Sequence, residues 1–194
     1  MKKIFTILFL LYIVQYASAQ SGLKVGDKAP AFTGIDNQGQ TVSLKKLLAS
    51  HKYVVLFFYR GQWCPYCNKH IAQLQDSLQT LITKGAYVLG VTPETTDAIA
   101  KTVTKTKAAS IPLVNDKGYS IMKAYQVNFV MDTTMVSKYK KFGVDLEANN
   151  GNTDHVLPVP ATYVIDKTGK IKYVHFDKDY RKRASVSSIA AQLN

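Results

Sequence analysis

Both cysteines of the chain lie in Tyr59-Arg60-Gly61-Gln62-Trp63-Cys64-Pro65-Tyr66-Cys67, separated by a proline and a tyrosine. Two thiols at that spacing can cycle between dithiol and disulfide, provided that one of them ionises readily, because the thiolate is the nucleophile. The stretch before them, Tyr53 to Tyr59, is a continuous apolar run rich in β-branched and aromatic residues. Such a run reads as a strand buried on both faces. After them Cys67, Ile71, Leu74, Leu78 and Leu81 recur at helical spacing, and Gly85 supplies a stop. The pair therefore falls where a strand becomes a helix. The N–H groups of a helical first turn are unpaired and the macrodipole is positive there. Both favour a thiolate and lower the thiol pKa from about 8.5 toward neutrality. Pro65 suits that first turn, where its missing N–H costs nothing. On this reading Cys64 is the more exposed sulfur and Cys67, on the helix's buried stripe, the more protected one.

Three other chemistries use the same residues. A permanent structural disulfide would close a very short loop and stabilise little, since the gain grows with loop size. A metal site built on Cys64, Cys67 and His70 would place His70 six residues on, a rotation of about 600° from Cys64. Zinc would also want a further pair of ligands, which no second cysteine pair supplies. Haem attachment would need histidine where Asn68 stands. No metal or cofactor is expected.

The elements that position the pair follow from the rest of the pattern. Short strands are expected near Gly34 and over Thr41–Leu44, flanking the turn Asn37-Gln38-Gly39. Ala86–Val91 and Ala161–Ile165 repeat the buried-strand signature, and Ile111–Val114 is a further strand. Pro93–Lys107, Tyr119–Tyr125 and Ala184–Leu193 read as helices, and Asp166-Lys167-Thr168-Gly169 turns a hairpin into Ile171–Phe176. Gln126–Val159 has no clear periodicity, and a structureless loop that long hides a helical piece near Met135–Phe142. The whole describes an α/β sandwich on a mixed sheet.

Lys2 and Lys3, the apolar run Ile4–Val14 and Ala17-Ser18-Ala19 have the layout of a secretory signal peptide. Residues 1–19 are expected to be removed, leaving one domain over 20–194, periplasmic or extracellular and without a membrane span; an uncleaved run would instead be an N-terminal anchor. The net charge is +12, from 25 Lys+Arg against 13 Asp+Glu. Losing Lys2 and Lys3 leaves 23 − 13 = +10 on the mature chain. Arg60, Arg181 and Arg183 are the only arginines, and the lysines are scattered. Nucleic-acid binders concentrate charge in a stripe and lean on arginine, so no nucleic-acid partner is expected.

The sequence resembles the thioredoxin-fold superfamily, and within it the alkyl hydroperoxide reductase/thiol-specific antioxidant branch that contains the peroxiredoxins. The resemblance is carried by Gly26-Asp27-Lys28-Ala29-Pro30-Ala31-Phe32, by Val54–Cys67, and by Leu157-Pro158-Val159-Pro160-Ala161-Thr162-Tyr163-Val164-Ile165-Asp166. It implies a thioredoxin-like α/β fold, a central mixed β-sheet with helices on both faces. It also makes Pro160 the counterpart of the cis-proline facing the site, presenting backbone groups to a partner. In peroxiredoxins a proline is followed four residues on by Thr or Ser and three further by the attacking cysteine. That register puts Arg60, Cys64 and Cys67 at those positions, so two of the three residues differ. In thioredoxins the first cysteine attacks, and the order here stays open.

The activity implied is peroxiredoxin-type reduction of hydroperoxides through Cys64 and Cys67, with an external thioredoxin-like dithiol as reductant. In it Cys67 becomes a sulfenic acid and Cys64 resolves it, while Arg60 holds the thiolate and polarises the peroxide. The alternative is disulfide exchange, in which Cys64 attacks a partner's disulfide; Trp63, Pro65, Tyr66 and Pro160 support the site in either case. A non-catalytic module is a third reading, and a copper-binding one using His155 beside Asp154 a fourth.

Overall fold

The computed structural model describes residues 22–194. The proposed leader, residues 1–19, lies outside the described residues. In chain order the elements are β1 (Thr33–Asp36), β2 (Thr41–Ser43), α1 (Leu44–Ser50), β3 (Tyr53–Phe58), α2 (Pro65–Asp76), α3 (Leu78–Thr83), β4 (Ala86–Thr92), α4 (Thr96–Thr106) and β5 (Leu113–Asn115). There follow α5 (Ser120–Ala124), β6 (Asn128–Val130), α6 (Thr133–Lys141), α7 (Leu146–Asn150), β7 (Val156–Pro158), β8 (Ala161–Asp166), β9 (Ile171–Phe176) and α8 (Val186–Ala190).

Seven strands form one mixed sheet in the order β2-β1-β5-β4-β3-β8-β9. β3 lies inside it, parallel to β4 and antiparallel to β8, with Val55 opposite Val88 on one side and Val164 on the other. Its apolar run is explained by that position, since every residue of β3 is buried. Alternation then splits β3 between two cores. Val54, Leu56 and Phe58 face the cluster holding Leu44, Met122 and Tyr125, beneath α1 and α5. Tyr53, Val55, Phe57 and Tyr59 face the other, which holds Cys64, Cys67, Ile71, Leu74, Ile99 and Ile189 from the region of α2, α4 and α8. Helices thus cover both faces, and the cysteines belong to one of them.

The expected long helix after the cysteines is two, α2 and α3. Ser77 sits at φ −102° and ψ 3°, outside helical geometry, while Leu74, Leu78 and Leu81 keep one buried stripe across the break. The closing helix is shorter than the apolar pattern suggested; it starts at Val186, where the Ser185 hydroxyl caps it by accepting the Ser188 N–H at 3.0 Å, and ends at Ala190. The segment 126–159 contains the expected helix as α6, and also α7 and a two-stranded sheet of β6 and β7.

One expectation is overturned there. No cis peptide bond occurs among the described residues, so Pro160 is trans. The chain reaches it already extended through β7. The Val159 N–H is given to the Val127 carbonyl at 2.7 Å, and the Pro160 carbonyl accepts from Asp177 N–H at 3.2 Å. Its backbone acceptor is engaged within the chain rather than held out to a partner.

Candidate active site

The loop between β3 and α2 is pinned from several sides. Tyr59 extends the β3–β4 ladder by donating its N–H to Val91 at 3.1 Å. Gly61 follows at φ +152°, in the region that favours glycine, and a Cβ there would lie 2.5 Å from Trp63 Nε1 and 2.6 Å from Glu94 Oε1. The next N–H, that of Gln62, is donated to Glu94 Oε1 at 2.7 Å. Lys105 Nζ and Asn68 Nδ2 both donate to the Gln62 carbonyl, at 3.2 and 2.8 Å. Glu94 itself is buried, and that burial raises its pKa to about 7 against the opposing pull of the Gln62 N–H.

Cys64 is the N-cap of α2. Its sulfur accepts the Cys67 N–H at 3.2 Å, and Pro65 occupies the first turn. The pair is joined as a disulfide with Cα atoms 5.2 Å apart. Placement at a helix start agrees with the sequence reading, and so does the order of exposure, although both cysteines are nearly buried. Cys64 is 1% exposed and Cys67 0%, so neither sulfur stands out into solvent. Cys64 belongs to the same buried cluster as Cys67, and Trp63 packs against it.

The chain returns to the pair from far away. Arg183, 116 residues beyond Cys67, donates through Nη2 to Cys67 Sγ at 3.0 Å and reaches Cys64 Sγ at 3.9 Å. Its other nitrogens bind the carbonyls of Phe58, at 3.3 Å, and Tyr180, at 3.1 Å. Burial, and secondarily the charge of Arg60, pull its pKa down to about 10, which leaves it a cation at neutral pH. Spacing gave no hint of this contact. Composition did carry one: of three arginines in a lysine-rich chain, Arg183 binds this pair, Arg60 lines a cleft with Cys64, and Arg181 is bound to Asp179 at 2.8 and 2.9 Å. Glu94 was equally missed, since one carboxylate after a buried strand carries no motif.

Arg60, only 3% exposed, does not touch the sulfurs at hydrogen-bond distance. It donates to the Tyr139 hydroxyl at 3.0 Å, and its guanidinium carbon lies 4.9 Å from the Trp63 ring centre and 4.5 Å from that of Tyr180. Trp63 meets Tyr139 edge-on at 5.5 Å and Tyr66 meets Tyr180 at 5.7 Å. These aromatic rings, with Phe142, Arg60 and Cys64, line a cleft of about 190 Å³. Cys64 lines it and Cys67 does not.

Behind the pair, His70 is buried and stays neutral. Burial first, then Arg183 and His175, bring its pKa down to about 3. Among the described residues no group of three His, Cys, Asp or Glu is arranged to hold a metal. His155 and Asp154 are engaged elsewhere, with Glu147 at 3.0 Å and the Tyr119 hydroxyl at 3.2 Å.

The AhpC/TSA family profile matches residues 25–174, most of the chain and all of β1 to β8. The chain belongs to the AhpC/TSA family. Within it, this protein is similar to the thiol-disulfide oxidoreductase ResA of Bacillus cereus, 26% identical over 156 residues, covering 80% of this chain and 72% of that protein. It is equally similar to the putative peroxiredoxin Rv2521 of Mycobacterium tuberculosis, 26% identical over 155 residues, covering 80% and 86%. Among solved structures, the peroxidoxin BcpB of Mycobacterium tuberculosis superposes with a TM-score of 0.67 at 22% identity, covering 88% of this chain and 96% of that one. That likeness shows the thioredoxin-like fold. The AhpC/TSA protein described here is a thiol-based oxidoreductase, and no helix among its described residues is long and apolar enough to cross a membrane.

Proposed function

We propose that this AhpC/TSA protein reduces hydroperoxides through Cys64 and Cys67. The observation that carries the reading is the cleft: it is small, and Cys64, an almost wholly buried cysteine, is among the residues that line it. A hydroperoxide can enter such a space, whereas a protein disulfide must meet its attacking sulfur at a surface. Access assigns the attack to Cys64, the reverse of the order implied by the peroxiredoxin register.

In the reduced enzyme the Cys64 thiolate is stabilised by the Cys67 N–H, by the positive end of α2 and by Arg183. It attacks the terminal oxygen of ROOH. An S–O bond forms, the O–O bond breaks, and the alkoxide leaves as ROH after taking up a proton. Cys64 is now a sulfenic acid, oxidised by two electrons. The Cys67 sulfur attacks it, the S–S bond forms, and hydroxide leaves as water. An external dithiol restores the pair by thiol–disulfide exchange, returning the two electrons. No metal or organic cofactor enters this cycle. Arg183 is the cation at the reacting sulfurs, while Arg60, Trp63, Tyr66 and Pro65 shape the approach.

In this reading residues 1–19 act as an export signal, and the cycle runs outside the cytoplasm in one domain over residues 20–194. Disulfide exchange is the competing activity, favoured by the similarity to ResA. The engaged carbonyl of Pro160 weighs against it, because a docked partner chain needs free backbone groups there.

A single reduced sample offered either a hydroperoxide or insulin separates the two. Peroxide consumption should exceed insulin reduction, Cys64→Ser should abolish turnover, and Cys67→Ser should stop after one equivalent with a sulfenic acid trapped on Cys64. Full turnover by both serine variants, or insulin reduction without peroxide consumption, would contradict the proposal.

A further inference from the structure

The charges around the cleft do not balance. Arg183 has the Cys64–Cys67 pair beside it, and one thiolate in the reduced enzyme answers its charge. Arg60 has nothing of the kind. It is 3% exposed, its Nε has no hydrogen-bond partner, and no carboxylate lies within ion-pair distance of it among the described residues. The rings of Trp63, Tyr139 and Tyr180 and one phenol hydroxyl surround it, and the charge that acts with it, Arg183, has the same sign. Contact with aromatic faces offsets part of the cost of burying a cation but supplies no opposite charge. A buried ion without an opposite charge is costly, so a counter-ion from outside is the natural complement.

The remaining walls say what the counter-ion is attached to. Phe142 is 76% exposed at the cleft, and Tyr66 and Tyr180 are exposed beside it. Apolar side chains left in water around a concave site mark a surface that is covered when a ligand binds. A volume of about 190 Å³ admits a ligand body of roughly six waters' bulk, taking about 30 Å³ for each.

We infer that the cleft binds small amphipathic carboxylates, with the carboxylate on Arg60 and the apolar body among Trp63, Tyr139 and Phe142, so that carboxylate-bearing hydroperoxides are the preferred substrates. Planar guanidinium recognises planar carboxylate through paired hydrogen bonds, which a neutral ester or amide cannot match in charge. The inference rests on the hydroperoxide reading only for the substrate statement; the binding statement stands apart from it.

Trp63 is the only tryptophan of the chain and lines the cleft, so its fluorescence reports occupancy without any turnover. The oxidised protein is titrated with octanoate and with octanamide, which have the same shape and differ in charge. Octanoate should bind at least 10-fold more tightly. Arg60→Met should erase that preference, Arg60→Lys should keep part of it, and Phe142→Ala should weaken both ligands alike. Equal affinity for the two in the unaltered protein, which needs no variant, overturns the inference, as does a preference that survives Arg60→Met. In the same preparation, 4-carboxycumene hydroperoxide should show a higher kcat/KM than its methyl ester. A binding preference with no peroxide turnover would uphold the site and sink the hydroperoxide reading; turnover that ignores the carboxylate, with no binding preference, would do the opposite.

Discussion

The strand–loop–helix of residues 53–76 and the later segments 126–160, of short elements and loops, and 177–185 contribute to one site in different ways. The first supplies the sulfurs. Its pattern is strong: a strand with every residue buried, a capped helix start, a stripe of apolar residues. The second supplies Tyr139, Phe142, Tyr180 and Arg183, and these decide what surrounds the sulfurs. Regular structure places the reactive groups, because repeated hydrogen bonds and burial hold them to fixed positions. Loops then set the charge and the access, through single side chains arriving from distant parts of the chain. The lesson is that a redox pair read from sequence identifies the chemistry, while its electrostatics belong to residues with no motif.

The comparison can be broken first at Arg183. If the loop-borne cation is what favours the thiolate, Arg183→Met should lower the second-order rate with hydroperoxide by about 100-fold, the scale seen when one donor to a developing charge is removed. Arg183→Lys should recover part of it, and the thiol pKa should rise in step. An Arg183→Met enzyme with unchanged rate and thiol pKa would mean the helix start suffices alone. The next test lies in the sulfur-bearing region. Gly61→Ala forces a Cβ onto Trp63 and Glu94 at a φ of +152°, and should cost about 1–3 kcal/mol of stability, read by denaturant unfolding.

Glu94 ties that loop to β4, and its effect has a definite sign. Its folded pKa, about 7, lies above the ordinary 4.5. The folded protein therefore keeps a proton that the unfolded chain releases between those values. Stability is highest below pH 4.5 as far as this group is concerned, and falls as the pH rises to 7. Glu94→Gln, which keeps an acceptor for the Gln62 N–H, should flatten that slope; a parallel slope in both proteins would show that Glu94 does not titrate there. The smallest effect is expected at Tyr139→Phe. It removes one hydrogen bond to Arg60, which itself does not touch the sulfurs, and should change peroxide kinetics several-fold at most.

Much of the architecture was legible. Periodicity located β3, β4, β8, β9 and the helix carrying the cysteines, because buried strands and amphipathic stripes are direct images of packing. It missed α1, β6, β7 and α7, none longer than seven residues, and it joined α2 to α3 because the apolar stripe runs on through Ser77. At the site, Cys64, Cys67 and Pro65 were legible from type and spacing. Arg183 and Glu94 were not, since only the fold brings them to residues 60–67. That Cys64 is the less covered of the two sulfurs was legible, but not how nearly buried both are.

The most direct measurement is titration of the reduced protein by thiolate ultraviolet absorbance, with Cys67→Ser used to assign the lower transition. The account predicts that Cys64 ionises at or below about pH 7, within the range of thiols at helix starts beside a cation. Both thiols remaining protonated up to about pH 8.5, the value of an unassisted cysteine, would contradict it.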